Sequence, residues 1–218
     1  MTTCNKGLLI DLDGTLVDNL ENMYGVYSTF LSNYQQRPSK NEFELYNGVP
    51  LGIVIESIKS KYALKPSKEC LLTEYHELLD AIYQVSPLRP GALALLRKAK
   101  SLNFKLSLVT SSPGKKVKRL LTTLNVLEFF DLAICAEDVT RGKPNKEPYE
   151  KAIMALNLNT ARTFAVEDSL NGLKAAFGSG AKTCYITPYL HQISAEEETF
   201  TWKQIHCLEE MLRLIDLD

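Results

Sequence analysis

The chain has 218 residues, of which 45% are apolar and 23% charged, and its 25 Lys and Arg stand against 26 Asp and Glu. This length fits one large domain, or one domain with a small second domain inserted, and it can bury a core without disulfide or metal staples. The charge balance excludes a dedicated nucleic-acid binder, which carries a strong basic excess. We therefore expect no nucleic-acid partner. No apolar stretch approaches the roughly 18 residues that a membrane span needs, so we also expect no membrane partner.

The cysteines are scattered and show no C-x-x-C spacing. An odd, dispersed set is typical of free thiols in a reducing compartment rather than of a disulfide framework. Carboxylates interrupt the short apolar run near the N-terminus, so we expect no signal peptide and a cytoplasmic protein. The five cysteines are Cys4, Cys70, Cys135, Cys184 and Cys207.

The first predicted strand, Gly7–Leu12, is followed by a long segment with a helical pattern. Apolar residues at spacings of three and four mark one helix face from Leu20 to Tyr34. Ser67 fits the N-cap of another helix, with an apolar face between Leu71 and Tyr83. We therefore expect a helical cap domain inserted into a core domain. The expected bounds are residues 18–86 for the cap, and 1–17 with 87–218 for the core.

After this insertion, strands and helices alternate. Further strands are predicted at residues 104–109, 132–135, 163–166 and 183–186, with helices at 92–102, 115–124, 148–156 and 170–177. The strands lack a polar and apolar alternation, which is typical of strands buried on both faces. Alternating strands and helices predict a parallel sheet, so the fold class is α/β with a Rossmann-like core. A last helix is expected from Trp202 to Leu214.

Asp11 and Asp13 lie at the carboxyl end of the first predicted strand, within the sequence Asp-Leu-Asp-Gly-Thr. Two carboxylates two residues apart on an extended segment point the same way and repel unless a cation or a proton relieves them. Ligands of open parallel sheets bind beyond the carboxyl ends of the strands, so the position suits a functional site. A strand followed by a surface Asp-Gly turn is the alternative.

Three later segments support the functional interpretation. Thr110 and Ser111 place hydroxyls before a predicted helix, where they favour anion binding, although such residues also serve as simple N-caps. Lys143 provides a compact positive charge in the loop after the third strand. Glu167 and Asp168 end the fourth strand, and oxygen ligands from two strand ends are what Mg²⁺ prefers.

In order and approximate spacing, these four segments resemble the signature of the haloacid dehalogenase superfamily, over residues 7 to about 186. The helical insertion is similar to the type-one cap of the phosphoglycolate phosphatase and β-phosphoglucomutase branch. The supporting stretches are LRPGALALLRKAK, FFDLAICAEDVTRGKPNKEPYEKAI and VEDSLNGLKAAFGSGA.

The resemblance implies a role for each matching residue. Asp11 is expected to be the nucleophile and Asp13 the general acid and base. The residues expected to bind the phosphoryl group are Thr110, Ser111 and Lys143. The metal site is expected to hold Mg²⁺ through Asp11, Asp13 by its carbonyl, and Asp168, with Glu167 adjacent.

The same resemblance indicates which cap segment reaches the site and where the chain departs from the family. Asn47 and Gly48 are the candidate specificity residues. Asn19, Asn145 and Glu147 differ from the usual family residues, and we expect none of the three to have a catalytic role, so the differences bear on the substrate rather than on the mechanism.

The expected function is that of a Mg²⁺-dependent phosphatase acting on a small phosphorylated metabolite through an aspartyl-phosphate on Asp11. A sugar phosphomutase using the same core residues is the alternative enzyme. A phosphate-binding regulatory protein without turnover is the alternative of another class. We expect a monomer or weak dimer.

Overall fold

The computed structural model describes residues 5–83, 86–187 and 193–216. A six-stranded sheet forms its centre, in the spatial order β3-β2-β1-β4-β5-β6, and every neighbouring pair is parallel. The predicted α/β fold with a Rossmann-like parallel sheet is therefore confirmed. The strands are β1 (Asn5–Ile10), β2 (Lys105–Val109), β3 (Leu132–Ile134), β4 (Leu158–Glu167), β5 (Lys182–Ile186) and β6 (Lys203–Ile205).

Among the described residues, four helices lie between β1 and the rest of the core, in the segment that the sequence predicts to be helical. These are α1 (Leu20–Asn33), α2 (Lys40–Tyr46), α3 (Leu51–Lys61) and α4 (Lys68–Tyr83). The helices of the core are α5 (Ala92–Ser101), α6 (Gly114–Thr123), α7 (Glu147–Ala155), α8 (Leu170–Gly178), α9 (Ala195–Thr199) and α10 (Leu208–Asp216).

The central strand β1 is covered on both faces. Leu8, Leu9 and Ile10 are all fully buried. Leu8 and Ile10 belong to one apolar cluster, whereas Leu9 belongs to a second cluster with residues of α7 and α8. Because successive side chains of a strand point to opposite faces, a strand covered by helices on both sides needs apolar residues at every position.

The inserted helices form their own packed layer. Phe30 of α1 and Tyr75 of α4 pack with ring centroids 5.1 Å apart, and both are buried. The hydroxyl of Ser67 accepts a hydrogen bond from the backbone N–H of Cys70 at 3.2 Å, which confirms the predicted cap of α4. Aromatic side chains thus supply much of the contact area between these helices.

Two chain segments connect the inserted helices to the core, and they lie side by side. Val17 and Leu88 form an antiparallel bridge. The N–H of Asp18 donates to the carbonyl of Pro87 at 3.0 Å, and that of Arg89 donates to Leu16 at 2.9 Å. Hinges are expected from the sequence near Val17–Asn19 and Val85–Pro90, and Val85 lies outside the described residues.

The prediction of one helix from Trp202 to Leu214 is wrong in its first half. The short strand β6 occupies Lys203–Ile205, and α10 begins only at Leu208. The N–H of Trp202 donates to the carbonyl of Thr183 at 2.8 Å, so this segment extends the sheet beside β5. Unlike the apolar edge strand β3, β6 contains Lys203 and Gln204, so it shows no apolar run of its own in the sequence.

Cys70, Cys135, Cys184 and Cys207 are free thiols, as predicted, and Cys4 lies outside the described residues. Within residues 5–83, 86–187 and 193–216, no helix has the length and apolar character to cross a membrane.

Candidate active site

The order of the strands reverses between β1 and β4, and ligand sites of open parallel sheets lie at such a point, beyond the carboxyl ends. Asp11 follows β1, Thr110 follows β2, and Glu167 ends β4. A cavity of about 90 Å³ lies here between the sheet edge and helices α1 to α4, and its lining includes Asp11, Asp13 and Thr110. The strand topology therefore brings together residues that are far apart in sequence.

Three carboxylates converge at this edge. Asp11, Glu167 and Asp168 each offer an oxygen, and these oxygens lie within 4.8 Å of one another. Lys143, which is 1% exposed, donates to Asp11 Oδ1 at 2.6 Å, to Glu167 Oε1 at 2.5 Å and to the carbonyl of Val109 at 3.0 Å. All three protons of its ammonium group are thus directed at named acceptors.

One lysine cannot neutralise three carboxylates, of which Asp11 and Glu167 are buried and Asp168 is half-buried. Burial alone would lower the pKa of Lys143, but the adjacent Asp11 and Glu167 outweigh it and hold the pKa above its usual value. Burial raises the pKa of Glu167 to about 8 despite the lysine. Burial and then the charge of Asp11 raise the pKa of Asp168 to about 7. The excess negative charge of the cluster demands a proton or a further cation.

The donor set fits a divalent cation. Oε2 of Glu167 is buried and has no hydrogen-bond partner among the described residues. An unpartnered carboxylate oxygen beside two further carboxylates, in a cluster with excess negative charge, is what a hard cation with oxygen ligands requires.

Asp13 has a different environment from Asp11. Its Oδ1 accepts a hydrogen bond from the side-chain amide of Asn19 at 2.7 Å. Its Oδ2 accepts from the hydroxyl of Ser112 at 2.8 Å and from that of Tyr83 at 3.0 Å. Burial raises the pKa of Asp13, and the charge of Asp11 raises it further, which favours the protonated form that a general acid needs.

Asn19, for which no catalytic role is expected, contacts Asp13 directly. Besides its bond to Asp13, its side-chain oxygen accepts from the backbone N–H of Gly14 at 3.1 Å. A Ser side chain at this position is shorter and has one oxygen, so it could not reproduce both bonds in the same way.

Asn145 and Glu147 lie in the loop that carries Lys143. The carboxylate of Glu147 accepts from the backbone N–H groups of Thr140 at 2.8 Å and Arg141 at 3.1 Å. The side chain of Asn145 accepts from the N–H of Glu147 at 3.0 Å. These bonds shape the loop and do not contact Asp11 or Asp13.

The turn after β1 lets Asp168 approach closely. Gly14 has a φ of +82°, and a Cβ at this position would lie 2.3 Å from Oδ2 of Asp168. Only glycine combines this backbone conformation with this contact. Thr15 donates to the other oxygen of Asp168 at 3.4 Å, a weak contact.

The predicted phosphate-binding hydroxyls also line the cavity. Oγ1 of Thr110 accepts from the N–H of Ser112 at 3.1 Å, which leaves its own proton available to a ligand. The hydroxyl of Ser111 donates to the carbonyl of Gly48 at 2.7 Å.

The loop that carries Asn47 and Gly48 reaches the core, as predicted. The side-chain amide of Asn47 donates to Oδ2 of Asp168 at 2.9 Å. The backbone carbonyl of Asn47 accepts a hydrogen bond from the side-chain amide of Asn171 in α8 at 2.8 Å. The candidate specificity residues therefore contact the candidate site itself.

Three residues of the site are not predicted from the sequence. Tyr83 and Ser112 hold Asp13 and lie within 2.6 Å of one another, and the hydroxyl of Tyr149 donates to Oε1 of Glu167. Ser112 directly follows the predicted hydroxyl pair, and that position is its only signal. Tyr83 and Tyr149 look like ordinary apolar-face positions of α4 and α7, and no sequence signal distinguishes their hydroxyls.

Several known proteins are similar to this chain in sequence or in fold. The validoxylamine A 7'-phosphate phosphatase of Streptomyces hygroscopicus subsp. limoneus is 30% identical over 80% of this chain and 82% of its own length. The phosphoglycolate phosphatase of Yersinia pseudotuberculosis is 28% identical over 84% and 81%. The crystal structure of the β-phosphoglucomutase of Clostridium difficile has the same fold, with a TM-score of 0.81, 18% identity and coverage of 98% and 100%.

A match to a protein-family pattern confirms the predicted resemblance. The pattern of the haloacid dehalogenase-like hydrolases matches residues 8–186, which include all four motifs, and members of this superfamily generally use a divalent metal. The protein therefore belongs to the haloacid dehalogenase-like hydrolases.

Proposed function

We propose that the protein is a Mg²⁺-dependent phosphatase that hydrolyses a small phosphorylated metabolite through an aspartyl-phosphate on Asp11. The observation that carries this proposal is that two aspartates lining one cavity have different surroundings. Lys143 pairs with Asp11 at 2.6 Å, whereas Asp13 is surrounded by hydrogen-bond donors and has a raised pKa. A nucleophile and a general acid need these two environments.

The residues divide the reaction into two steps. In the first, a carboxylate oxygen of Asp11 forms a bond to phosphorus while the bond from phosphorus to the leaving oxygen breaks. Asp13 gives its proton to that leaving oxygen. In the second, the ionised Asp13 takes a proton from a water molecule, whose oxygen displaces Asp11 from phosphorus and releases phosphate.

The cation is assigned to the carboxylate cluster. Asp11, Glu167 and Asp168 would hold Mg²⁺, and the carbonyl of Asp13 joins them by resemblance to the family. When bound, Mg²⁺ would reduce the repulsion between an anionic phosphate ester and an attacking carboxylate. Lys143 contributes to the same end through its bond to Asp11, and the hydroxyl of Thr110 is assigned to a phosphoryl oxygen.

Residues 18–86 are proposed to act as a movable cap domain on a core of residues 1–17 and 87–218. The paired connecting segments at Val17 and Leu88 would serve as the hinge. Bonds from Asn47 to Asp168 and from Ser111 to Gly48 hold the closed arrangement. Closure would exclude bulk water and select the substrate.

A screen of phosphate monoesters with inorganic phosphate as the readout tests the proposal. We expect phosphate release that requires Mg²⁺, stops in excess chelator and is lost in Asp168→Asn. Full activity in excess chelator, or in Asp168→Asn, would contradict the assignment. Absence of release from every monoester tested would favour the regulatory alternative without turnover.

A phosphomutase is the second candidate, because the fold matches that of a β-phosphoglucomutase. A mutase returns the phosphoryl group to a sugar hydroxyl instead of water. Incubation with β-glucose 1-phosphate distinguishes the two: a phosphatase accumulates inorganic phosphate, whereas a mutase accumulates a second sugar phosphate with little phosphate released.

A further inference from the structure

The wall that the inserted helices present to the cavity is apolar and aromatic. Tyr27 and Phe43 pack together with centroids 5.7 Å apart and contribute to it. The residues of this wall that matter here are Met23, Tyr27, Phe43, Val54, Tyr75 and Leu79. Such a surface favours a ligand with an apolar face and offers few hydrogen-bond partners to a group rich in hydroxyls.

Two polar side chains on the cap side are engaged by the catalytic edge, whereas the hydroxyl of Tyr27 is buried and has no hydrogen-bond partner among the described residues. The hydroxyl of Tyr83 donates to Asp13 at 3.0 Å, and the amide of Asn47 donates to Asp168 at 2.9 Å. Nδ1 of His76 lies 3.1 Å from Nζ of Lys116. Burial and then this lysine lower the pKa of His76, so the imidazole adds no positive charge at neutral pH.

Positive charge is confined to the catalytic edge. No Lys or Arg lines the cavity within residues 5–83, 86–187 and 193–216, and the remaining stretches of the sequence contain neither residue. Lys116, near His76, is outside the lining and forms an ion pair with Asp80 at 2.9 Å. Lys143 and the assigned cation already face three carboxylates, so this edge has no positive charge to spare for a second anionic group beside the phosphoryl group. The ionisable residues that line this edge are the carboxylates Asp11, Asp13 and Asp168.

The size of the cavity sets a further limit. It measures about 90 Å³, well below the roughly 300–1,000 Å³ typical of small-molecule pockets, so it suits a compact ligand. A second anionic group on a substrate would be buried here among carboxylates, without a partner, which is strongly unfavourable.

We propose that the substrate is a phosphate monoester of a compact, uncharged alcohol whose carbon skeleton presents an apolar face to the cap. This inference rests on the proposed phosphatase function. It excludes leaving groups that carry a second anion, such as a carboxylate or another phosphate, and it disfavours small polyols.

Matched substrates test the two parts of the proposal. For charge, 2-phosphoglycolate is compared with its neutral amide, carbamoylmethyl phosphate, which has nearly the same shape. For polarity, isobutyl phosphate is compared with glycerol 1-phosphate. We expect kcat/KM to favour the amide over the acid by about a hundredfold, because the acid buries an unpaired charge. We expect kcat/KM for isobutyl phosphate to exceed that for glycerol 1-phosphate by about tenfold.

A charge placed on the cap provides an independent test. Met23 is partly buried, lines the cavity and has no place in the proposed chemistry. Met23→Lys should raise kcat/KM for 2-phosphoglycolate relative to the amide by about tenfold, whereas the matched neutral variant Met23→Gln should leave the ratio unchanged.

The outcomes separate this inference from the proposed function. The proposed substrate class is wrong if kcat/KM for 2-phosphoglycolate equals that for carbamoylmethyl phosphate, or if kcat/KM for glycerol 1-phosphate equals that for isobutyl phosphate. The phosphatase function stands in either case, provided that phosphate release still requires Asp11. An unchanged ratio in a folded Met23→Lys variant also contradicts the substrate class. If none of the four esters releases phosphate and other monoesters also fail, the function itself is wrong.

Discussion

Asp11 and Asp13 show how surroundings give identical side chains different chemistry. Lys143 and two further carboxylates surround Asp11, whereas an amide and two hydroxyls donate to Asp13. Since both lie at one strand end, the difference arises from the neighbours that the fold brings to each. Tyr83 belongs to the inserted helices, so the proposed acid contacts these helices as well as residues at the sheet edge.

The hydroxyl of Tyr83 is predicted to position Asp13 for proton transfer. In Tyr83→Phe, kcat/KM for an alkyl phosphate should fall about tenfold, because a hydrogen bond to a charged or proton-donating group is lost. For an aryl phosphate, whose leaving group needs no proton, kcat/KM should change little. Steady-state kinetics with both esters measures the difference.

Tyr75→Phe is the matched control for this prediction. Tyr75 is also a buried tyrosine of α4 that lines the cavity, and its ring packs against Phe30 at 5.1 Å. Its variant should treat both esters as the wild type does. Equal losses on both esters in Tyr83→Phe would indicate a structural role only.

At this scale the sequence predicts motif residues and misses their partners. Asp11, Glu167, Asp168 and Lys143 carry charges that are costly to bury without a function, so their types and positions are informative. Tyr83 looks like one more apolar-face residue of α4, and its contact with Asp13 spans 70 positions of sequence. Such contacts follow from tertiary packing, which local patterns do not contain.

Among the elements, the loop between α2 and α3 connects the cap to the site. Gly48 has a φ of +78°, and a Cβ at this position would lie 2.6 Å from Oγ of Ser169. Its carbonyl accepts from Ser111, and the preceding Asn47 donates to Asp168. The loop thus depends on a backbone conformation that other residues adopt only at a cost.

Gly48→Ala should therefore weaken closure. A left-handed conformation costs a residue with a Cβ roughly 1–2 kcal/mol, so we expect kcat/KM to fall about tenfold. Gly52→Ala is the control, because Gly52 lies in α3 and a methyl group added there would meet nothing within 4 Å. It should keep full activity and gain up to about 1 kcal/mol in the free energy of unfolding. Full activity in Gly48→Ala would contradict the role of this loop.

Element prediction succeeds where a segment has a clear apolar pattern. Strands β1 to β5 and the helices after them are found near their expected positions, since apolar runs differ clearly from helical periods. β4 begins at Leu158, five residues earlier than expected. The sequence does not reveal this first half of the strand because most of it is polar and exposed. The sequence predicts helix where β6 lies, because Lys203 and Gln204 leave this strand without an apolar run of its own.

For the whole molecule, the excess negative charge of the site should appear in stability. Burial raises the pKa of Glu167 from 4.5 to about 8 and that of Asp168 from 3.8 to about 7. At pH values between the ordinary pKa and the raised pKa of each group, the folded chain therefore binds more protons than the unfolded chain. In excess chelator, the free energy of unfolding should fall as pH rises through this interval, and denaturant titrations from pH 5 to 8 measure it.

Mg²⁺ should reverse this trend, since it binds the ionised carboxylates of the folded state. The stabilisation by Mg²⁺ should grow with pH, and in Asp168→Asn both the fall in chelator and the gain from Mg²⁺ should shrink. A stability that is independent of Mg²⁺ throughout this range would contradict the placement of the cation.

The most direct test of the account is the identity of the phosphorylated residue. Wild type, Asp11→Asn and Asp13→Asn are mixed with an aryl phosphate, quenched rapidly in acid and analysed by peptide mass spectrometry. Asp13→Asn keeps the nucleophile and loses water activation, worth about 10²- to 10⁴-fold, so a phosphoryl group should accumulate on Asp11. Asp11→Asn should carry none and show near-background turnover. A phosphoryl group on Thr110 or Ser111, or substantial activity in Asp11→Asn, would contradict the proposed mechanism.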